Sequence, residues 1–381
     1  MTCLNERFTL LMLGNYLPKN ARRGGPGQIF SLFVDEFVNV SKRIRNLEIV
    51  VIDTKIPFYI YTIRKGTIIK KNLPLTPLAS LGTLKRTKAV YLTSLSIMGF
   101  SIFMLAWLLR KKTFYHLHGI ERLEYRYEEK NLLTSLPYIG IERFLIKNSS
   151  ALIHVSKLYE KITKDLYNPS GSSFIIPNSL DLESSSFDNL KKLISKEITL
   201  PKRYVLFIGR PTRRKGFDIF LILMNKVMER YNDLQAIAVT GDVIKGREKL
   251  KKYIKKQEIR KRIHILGSLD KNYLFILYQG ALATLIPSLV ESFNMVALES
   301  LAAGTPVIIS SMAGVAEYLP KNSQCVSICD SLTSFLESLE KHLKDEIRFD
   351  KSSCTSIARN FNVKITVLRL LKVLLIHYTT F

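Results

Sequence analysis

The second half of this sequence holds charged residues placed where strands are predicted to end. Gly209-Arg210 and Lys215-Gly216 follow the apolar run Tyr204–Ile208, and Glu291 and Glu299 follow a second apolar run. Glycines allow tight turns and close backbone approach, and arginine and lysine side chains there can reach a diphosphate. A carboxylate accepts two hydroxyl hydrogen bonds, which suits neighbouring hydroxyls on a sugar ring or a ribose.

A helix is predicted between these glutamates and the next strand. The segment Asn294–Ala303 is helical in pattern, and Gly304-Thr305-Pro306 closes it. The first amides of such a helix have no carbonyl partner within it, so they can bind an anion or a sugar hydroxyl. Taken singly, a basic turn and a Glu-x7-Glu spacing are common, and a purely structural role is the alternative for each.

Short apolar runs alternate with basic, helical stretches along the whole chain. This pattern is typical of parallel sheets built from βαβ units. Two sets of about six runs are separated by the polar segment Leu180–Leu200, which predicts two doubly wound domains at 1–190 and 191–360. The segment 361–381 is helical in pattern and could pack back on the first domain. Because ligands bind outside the carboxyl ends of parallel strands, we expect the site in a cleft between the domains.

Together the motifs resemble glycosyltransferase family 4. Gly209–Gly216, Glu291-x7-Glu299, Ala303–Ile308 and Gly314–Glu317 match its order and spacing over roughly 110 residues. The resemblance implies the α/β GT-B architecture, in which two Rossmann-like domains with doubly wound parallel sheets face a cleft. It also implies a retaining, metal-independent transfer of a sugar from a nucleotide-sugar to an acceptor hydroxyl. No cofactor is expected, since the nucleotide-sugar is a substrate.

The resemblance assigns the basic turn to the donor diphosphate. Arg210 and Lys215 would clamp that diphosphate and stabilise its departure, so that side-chain charge replaces a divalent ion. Gly209 would contribute to donor binding at the same turn. Glu299 would bind the ribose.

The same resemblance assigns the residues around the helix start to the donor sugar. Glu291 would contact the sugar, and the amides of Phe293, Asn294 and Met295 would lie beside it. Asn294 stands where the family usually carries glycine. This difference predicts a narrower site or a site shaped for another sugar.

The first half carries fewer motifs. Gly24-Gly25-Pro26-Gly27 occupies the place of the family's glycine-rich turn, where the backbone would approach the donor phosphate; otherwise it is a loop before a helix. His118 follows the strand Thr113–Leu117 and resembles the family histidine that contacts the donor sugar. As the alternative, His116 and His118 are ordinary strand residues, because alternation puts both on one face.

The charge balance favours anionic partners. The sequence has 57 Lys+Arg against 32 Asp+Glu, a net charge of +25. Such a surface attracts nucleic acid, anionic lipid or phosphorylated substrates. Zinc-finger spacing, a basic region with heptads and an aromatic RNA-binding signature are all missing from the sequence, so no nucleic-acid partner is predicted. This charge predicts a cytoplasmic enzyme that is peripheral at the inner face of the membrane. The resemblance to family 4, whose members often glycosylate membrane-anchored acceptors, implies a lipid-linked or cell-envelope glycan as acceptor, as in polysaccharide or lipopolysaccharide biosynthesis.

The uncharged run Ala89–Leu109 has two interpretations. It has the ~20 residues of a membrane span, with basic clusters on both sides. Serines, threonine and Gly99 interrupt it, however, and a buried strand at 89–94 followed by a buried helix at 96–109 explains it equally well.

The four cysteines lack the paired CxxC spacing of a structural zinc site. We therefore expect no zinc site, and free thiols in a reducing compartment.

Two alternative functions remain. One is a sugar-nucleotide epimerase or hydrolase of the same fold, which would need further acid–base groups, and the sequence has only six histidines. The other is a basic membrane- or nucleic-acid-binding protein.

Overall fold

The computed structural model contains two compact α/β units. It describes residues 6–16, 26–54, 59–72, 77–128, 131–180, 200–344 and 349–379. The first unit comprises Met1–Ser179 and Val363–Phe381, and the second comprises Leu180–Asn362. The predicted boundary between 190 and 191 lies in the segment 181–199, outside the described residues.

The first unit is built on an eight-stranded sheet in its described part. Its strands are β1 (Phe8–Gly14), β2 (Leu47–Asp53), β3 (Tyr59–Arg64), β4 (Thr67–Asn72), β5 (Ala89–Leu92), β6 (Lys112–Leu117), β7 (Ala151–His154) and β8 (Ser172–Ile175). The order across the sheet is β4-β3-β2-β1-β5-β6-β7-β8. All neighbours are parallel except in the hairpin, where β3 pairs antiparallel with both β2 and β4. The residues of β1 and β2 are all buried, as expected for strands covered on both faces.

Helices connect the parallel strands of this unit. They are α1 (Pro26–Ser41), α2 (Leu81–Arg86), α3 (Ile97–Leu108), α4 (Glu121–Glu128), α5 (Leu132–Asn148) and α6 (Lys157–Tyr167). The run 89–109 is thus the strand β5 followed by the helix α3. The Ser96 side chain accepts a hydrogen bond from the Gly99 amide, which explains why the helix begins at Ile97. Among the described helices, none combines the length and the apolarity that crossing a membrane requires.

The second unit has a six-stranded, wholly parallel sheet in its described part. Its strands are β9 (Tyr204–Ile208), β10 (Gln235–Gly241), β11 (Ile263–Gly267), β12 (Ala283–Ile286), β13 (Val307–Ser310) and β14 (Val326–Cys329). Its helices are α7 (Phe217–Met228), α8 (Val243–Tyr253), α9 (Gln257–Lys261), α10 (Lys271–Gly280), α11 (Met295–Ala302), α12 (Leu332–Leu343) and α13 (Lys351–Arg359). The strand order β11-β10-β9-β12-β13-β14 reverses direction between β9 and β12. The prediction of two doubly wound parallel-sheet domains is confirmed.

The chain then returns to the first unit. The C-terminal helix α14 (Val363–Thr379) packs against α1. Its buried positions recur at helical spacing, with Val367, Leu370, Leu371 and Leu374 nearly inaccessible to solvent. One face of α14 therefore belongs to the first hydrophobic core.

A disulfide corrects the expectation of free thiols. Cys325, at the entry to β14, is bonded to Cys354 of α13, and their Cα atoms are 5.4 Å apart. Cys329 is a buried free thiol. The two cysteines are 29 residues apart in sequence, and only the tertiary structure, in which α13 packs against α11, brings their sulfurs together.

Candidate functional site

The loops after β9 and β12 begin at the point where the strand order of the second sheet reverses. The amide of Leu289 donates to the carbonyl of Arg214 at 2.9 Å, which ties the two loops together. Gly216 has φ +69°, and a Cβ atom there would lie 1.8 Å from the carbonyl oxygen of Pro287. Only glycine fits this contact, so Gly216 allows the basic turn to lie against the second loop.

The buried carboxylate of Glu291 lies next to two basic side chains of the turn after β9. Lys215 Nζ donates to Glu291 Oε2 at 2.6 Å, and Arg214 Nη1 lies 3.8 Å from Oε1. Burial acts to raise the pKa of Glu291, but the charges of Lys215, Arg214 and Arg210 outweigh it, and the pKa is lowered. Glu291 is therefore ionised at neutral pH inside a cationic cluster. Arg210 itself is exposed on the same loop, next to Gly209.

The sequence predicted separate contacts for Lys215 and Glu291, with the donor diphosphate and the donor sugar respectively. In the structure the two side chains bind each other. A lysine ammonium has three donors, so Lys215 can hold Glu291 and still donate to a phosphate oxygen. Arg214 was given no role by the sequence, since a run of basic residues does not reveal which side chain turns inward. It is only 4% exposed.

Asn294 keeps the backbone geometry of a glycine. Its φ is +92°, in the left-handed region that favours glycine and that asparagine tolerates better than most residues. Its Oδ1 accepts a hydrogen bond of 3.1 Å from the Ala297 amide, which caps α11. The asparagine side chain is therefore directed at the helix, and Met295 is the first residue of that helix.

The buried side chain of Phe293 fixes the loop that precedes α11. Its ring is 1% exposed and packs against the rings of Tyr318 and Phe361, each at 6.0 Å between centroids. Its carbonyl accepts from the Val315 amide at 2.8 Å, which joins the loops after β12 and β13. Any ligand contact of Phe293 therefore uses its backbone.

Glu299 lies one turn into α11 and makes a hydrogen bond that does not involve the Lys215–Glu291 pair. The Tyr278 hydroxyl of α10 donates to Glu299 Oε2 at 3.0 Å. Burial raises the pKa of Glu299, and the Tyr278 hydrogen bond and the charge of Lys271 only partly offset this. Tyr278 is a second residue that the sequence did not identify, because nothing in the segment 271–280 distinguishes it from a core tyrosine.

In the first unit, His118 lies at the carboxyl end of β6. Neither of its ring nitrogens has a hydrogen-bond partner among the described residues, and burial lowers its pKa to about 4. The ring of His116 lies 4.2 Å away, and His116 Nδ1 is 2.6 Å from the Tyr91 hydroxyl. Both imidazoles are therefore neutral at pH 7, and the shared face expected for them is observed.

Other polar groups at this edge of the first sheet are also unsatisfied. Within the described ranges, Asn15 Oδ1, Gln28 Oε1 and Asn178 Oδ1 are buried without a hydrogen-bond partner. Buried polar atoms are normally paired, so such atoms mark a place where water or a ligand supplies the partner. The predicted glycine turn containing Gly24 and Gly25 falls outside the described residues. In the described part of the chain, no three His, Cys, Asp or Glu side chains are grouped to hold a metal ion.

Comparison with known proteins shows which proteins the second unit resembles. Residues 190–360 match the family Glycosyl transferases group 1. An uncharacterised glycosyltransferase of Methanocaldococcus jannaschii is 30% identical over 231 residues, which are 55% of this chain and 58% of that protein. The chain thus spans a little over half of that relative. Residues 190–360 of the second unit are therefore similar to the glycosyl transferases of group 1.

Solved structures confirm the fold over nearly the whole chain. Sucrose-phosphate synthase from Thermosynechococcus elongatus has a TM-score of 0.69 at 16% identity, covering 96% of this chain and 98% of that one. Anabaena HepE, solved in complex with UDP and glucose, has a TM-score of 0.63 at 15% identity, with coverages of 96% and 98%. The predicted GT-B architecture is confirmed at the level of the fold.

Proposed function

We propose that this protein is a glycosyltransferase that moves a sugar from a nucleotide-sugar to an acceptor hydroxyl, with retention at the anomeric carbon. The observation that carries the proposal is the Lys215–Glu291 pair, held with Arg214 where the strand order reverses and next to the start of α11. Ligands of doubly wound domains bind at this position. The match of residues 190–360 to glycosyl transferases supports it.

Each residue has a task in the proposed transfer. Arg210 and Lys215 bind the donor diphosphate and stabilise the charge that it gains on departure. Glu291, which is ionised and oriented by Lys215, accepts hydrogen bonds from the donor sugar beside the first amides of α11. Glu299 binds the ribose. We assign no protein nucleophile, so the acceptor oxygen attacks on the face from which the diphosphate leaves, and the leaving phosphate assists removal of the acceptor proton.

His118 is proposed to contact the donor sugar as a neutral group. With a pKa near 4, its imidazole offers one donor and one acceptor at pH 7 and carries no charge. That chemistry suits a sugar hydroxyl better than a phosphate. The two unpartnered ring nitrogens of His118 support this role.

We further propose a lipid-linked or cell-envelope glycan as acceptor and a peripheral location at the inner, cytoplasmic face of the membrane. The support is the net charge of +25, which attracts the protein to an anionic surface. The transfer is proposed to need neither a metal ion nor another cofactor, because Arg210 and Lys215 supply the positive charge.

A thermal-shift screen against UDP-, GDP-, ADP- and CMP-sugars tests the donor class. A ligand at 100 times its Kd stabilises the folded state by about 2.7 kcal/mol, so one class should raise the Tm clearly. If none does, the donor site is wrongly assigned. For the preferred donor, turnover that proceeds equally without any acceptor would indicate a hydrolase or epimerase, and the anomeric configuration of the product by NMR tests retention.

A further inference from the structure

Four basic side chains and the only tryptophan of the sequence meet where α3 and α5 end. They surround an open concavity of about 400 Å³, here called the basic concavity, which is lined by Trp107, Arg110, Lys111, Lys112, Lys147 and the segment 148–150. No lining residue is acidic. Lys111 Nζ also donates to the Lys85 carbonyl at 3.3 Å, which places the basic end of α2 beside it.

The partial negative charges at the carboxyl ends of α3 and α5 do not neutralise the basic side chains of the concavity. A helix carboxyl terminus carries roughly half a negative charge, so the ends of α3 and α5 together offset about one of the four cations. The residues that line the concavity therefore keep a net positive charge. Such an excess binds a multiply charged anion, and the phosphate of a lipid headgroup is one of that class.

Exposed apolar side chains adjoin the basic concavity. The Trp107 ring packs edge-on against Phe144 at 5.5 Å and stays 40% exposed, and Leu108 and Leu109 are 61% and 44% exposed. Tryptophan is favoured at the headgroup level of bilayers, where its ring is apolar and its N–H reaches polar groups. Cations beside exposed leucines and a tryptophan match the two layers of an anionic membrane surface.

The basic concavity lies away from the carboxyl ends of the first sheet, where His118 is found. The basic concavity lies where β6 and β7 begin, and His118 follows the opposite end of β6. Docking at the amino ends of these strands therefore does not cover the carboxyl ends of the first sheet.

We propose that the basic concavity docks the protein on a bilayer containing anionic phospholipids. Lipid phosphates enter the concavity, and Trp107, Leu108 and Leu109 insert among the headgroups. The proposal rests on the peripheral location proposed above and names its surface. It does not depend on the donor, the acceptor or the transfer step.

The fluorescence of Trp107 reports this contact directly, because no other tryptophan contributes. The full chain is mixed with vesicles of phosphatidylcholine alone or with added phosphatidylglycerol, and co-sedimentation is measured in parallel. We expect a blue shift and co-sedimentation only with phosphatidylglycerol, both lost at about 0.5 M salt, where screening is short-ranged. Sedimentation without any Trp107 shift would place the contact elsewhere and overturn the proposal.

Matched charge reversals locate the contact. The double variant Lys111→Glu with Lys147→Glu should weaken vesicle partition by at least about tenfold, since each basic side chain near the surface contributes about 1 kcal/mol. The control Lys251→Glu with Lys255→Glu makes the same change in net charge on exposed positions of the second unit and should stay within about twofold of wild type. Equal losses in the two variants would mean diffuse attraction and would overturn the assignment.

Two further arms separate the alternatives. Leu108→Ser, at a largely exposed position, should reduce the blue shift while keeping electrostatic partition. Inorganic phosphate or inositol hexakisphosphate that shifts Trp107 in a protein that ignores vesicles would identify a soluble phosphate site and exclude the membrane. Tm shifts with nucleotide-sugars, measured without vesicles, should be unchanged in all three variants, so failure here is distinct from failure of the proposed function.

Discussion

The two units have related sheets but opposite chemistry where their strands end. In the second unit, Lys215 and Arg214 keep Glu291 ionised despite burial. In the first unit, His118 has no comparable charged partner, and burial alone lowers its pKa to about 4. One edge is built from paired charges, and the other from neutral groups with unsatisfied hydrogen bonds. The second unit therefore offers paired charges where its strands end, whereas the first unit offers neutral hydrogen-bonding groups.

The largest expected effect is loss of the cations of the second unit. Lys215→Ala and Arg210→Ala should each reduce transfer by about 100-fold or more with the fold retained, the scale of one preorganised electrostatic contact. Arg213→Ala, exposed in the same loop, is the matched control and should stay within a few-fold of wild type. Activity near wild type for both site variants would contradict the assignment.

Next comes the backbone that joins the two loops of the second site. Gly216→Ala should lower the free energy of unfolding by more than about 2 kcal/mol, because the new Cβ atom meets the Pro287 carbonyl at a positive φ. Gly82→Ala in α2 of the first unit has nothing within 4 Å of the new Cβ and should be neutral or slightly stabilising. Urea titrations of both variants make the comparison, and equal stabilities would show that the loop contact is adjustable.

A third prediction separates the two glutamates. Glu299→Ala should weaken binding of the free nucleoside diphosphate by about tenfold or more, as expected for lost hydrogen bonds to a carboxylate. Glu291→Gln, whose amide oxygen can still accept from Lys215, should leave that affinity nearly unchanged while reducing transfer, because the proposed contact of Glu291 is with the sugar. Calorimetric titrations that give the same loss for both variants would show that the pair is wrongly assigned.

A smaller effect concerns pH and the neutral edge of the first unit. Because the folded pKa of His118 is about 4 and the unfolded value is near 6.5, its neutral form stabilises the fold fully above pH 6.5. That contribution is lost as pH falls from 6.5 towards 4, by about 1 kcal/mol at pH 5.5. Urea unfolding at pH 7.5 and 5.5 should show a smaller loss in His118→Asn than in the wild type, because the variant keeps only the losses due to the other buried histidines, His116, His154 and His342. A rate step near pH 6.5 that the variant abolishes would mean that His118 titrates during turnover.

Removal of metal ions is expected to have no effect. EDTA should leave turnover essentially unchanged, because Arg210 and Lys215 are proposed to neutralise the diphosphate. A requirement for magnesium or manganese, restored by adding the ion back, would contradict that role.

Much of the fold and part of the site could be predicted. Apolar runs end where strands end, so the loops carrying Lys215, Glu291 and His118 were placed at strand exits, and the run 89–109 divides into the strand and helix that its pattern allows. The residues missed are Arg214 and Tyr278. Each has a partner distant in sequence, and neither differs locally from its neighbours.

Local periodicity and motif spacing determined the two parallel-sheet domains, the order of the loops and the candidate charged residues, because hydrophobic alternation and helix signals act within a few residues. Only the tertiary structure decided which groups meet. Lys215 and Glu291 are 76 residues apart, and the disulfide partners Cys325 and Cys354 were expected as free thiols. Asn294 shows the same division: its departure from glycine is visible in the sequence, while its φ of +92° and its cap on α11 appear only in the fold. Pairings between loops depend on how strands are ordered in a sheet, and that order is set by packing of the whole unit, which no short segment encodes.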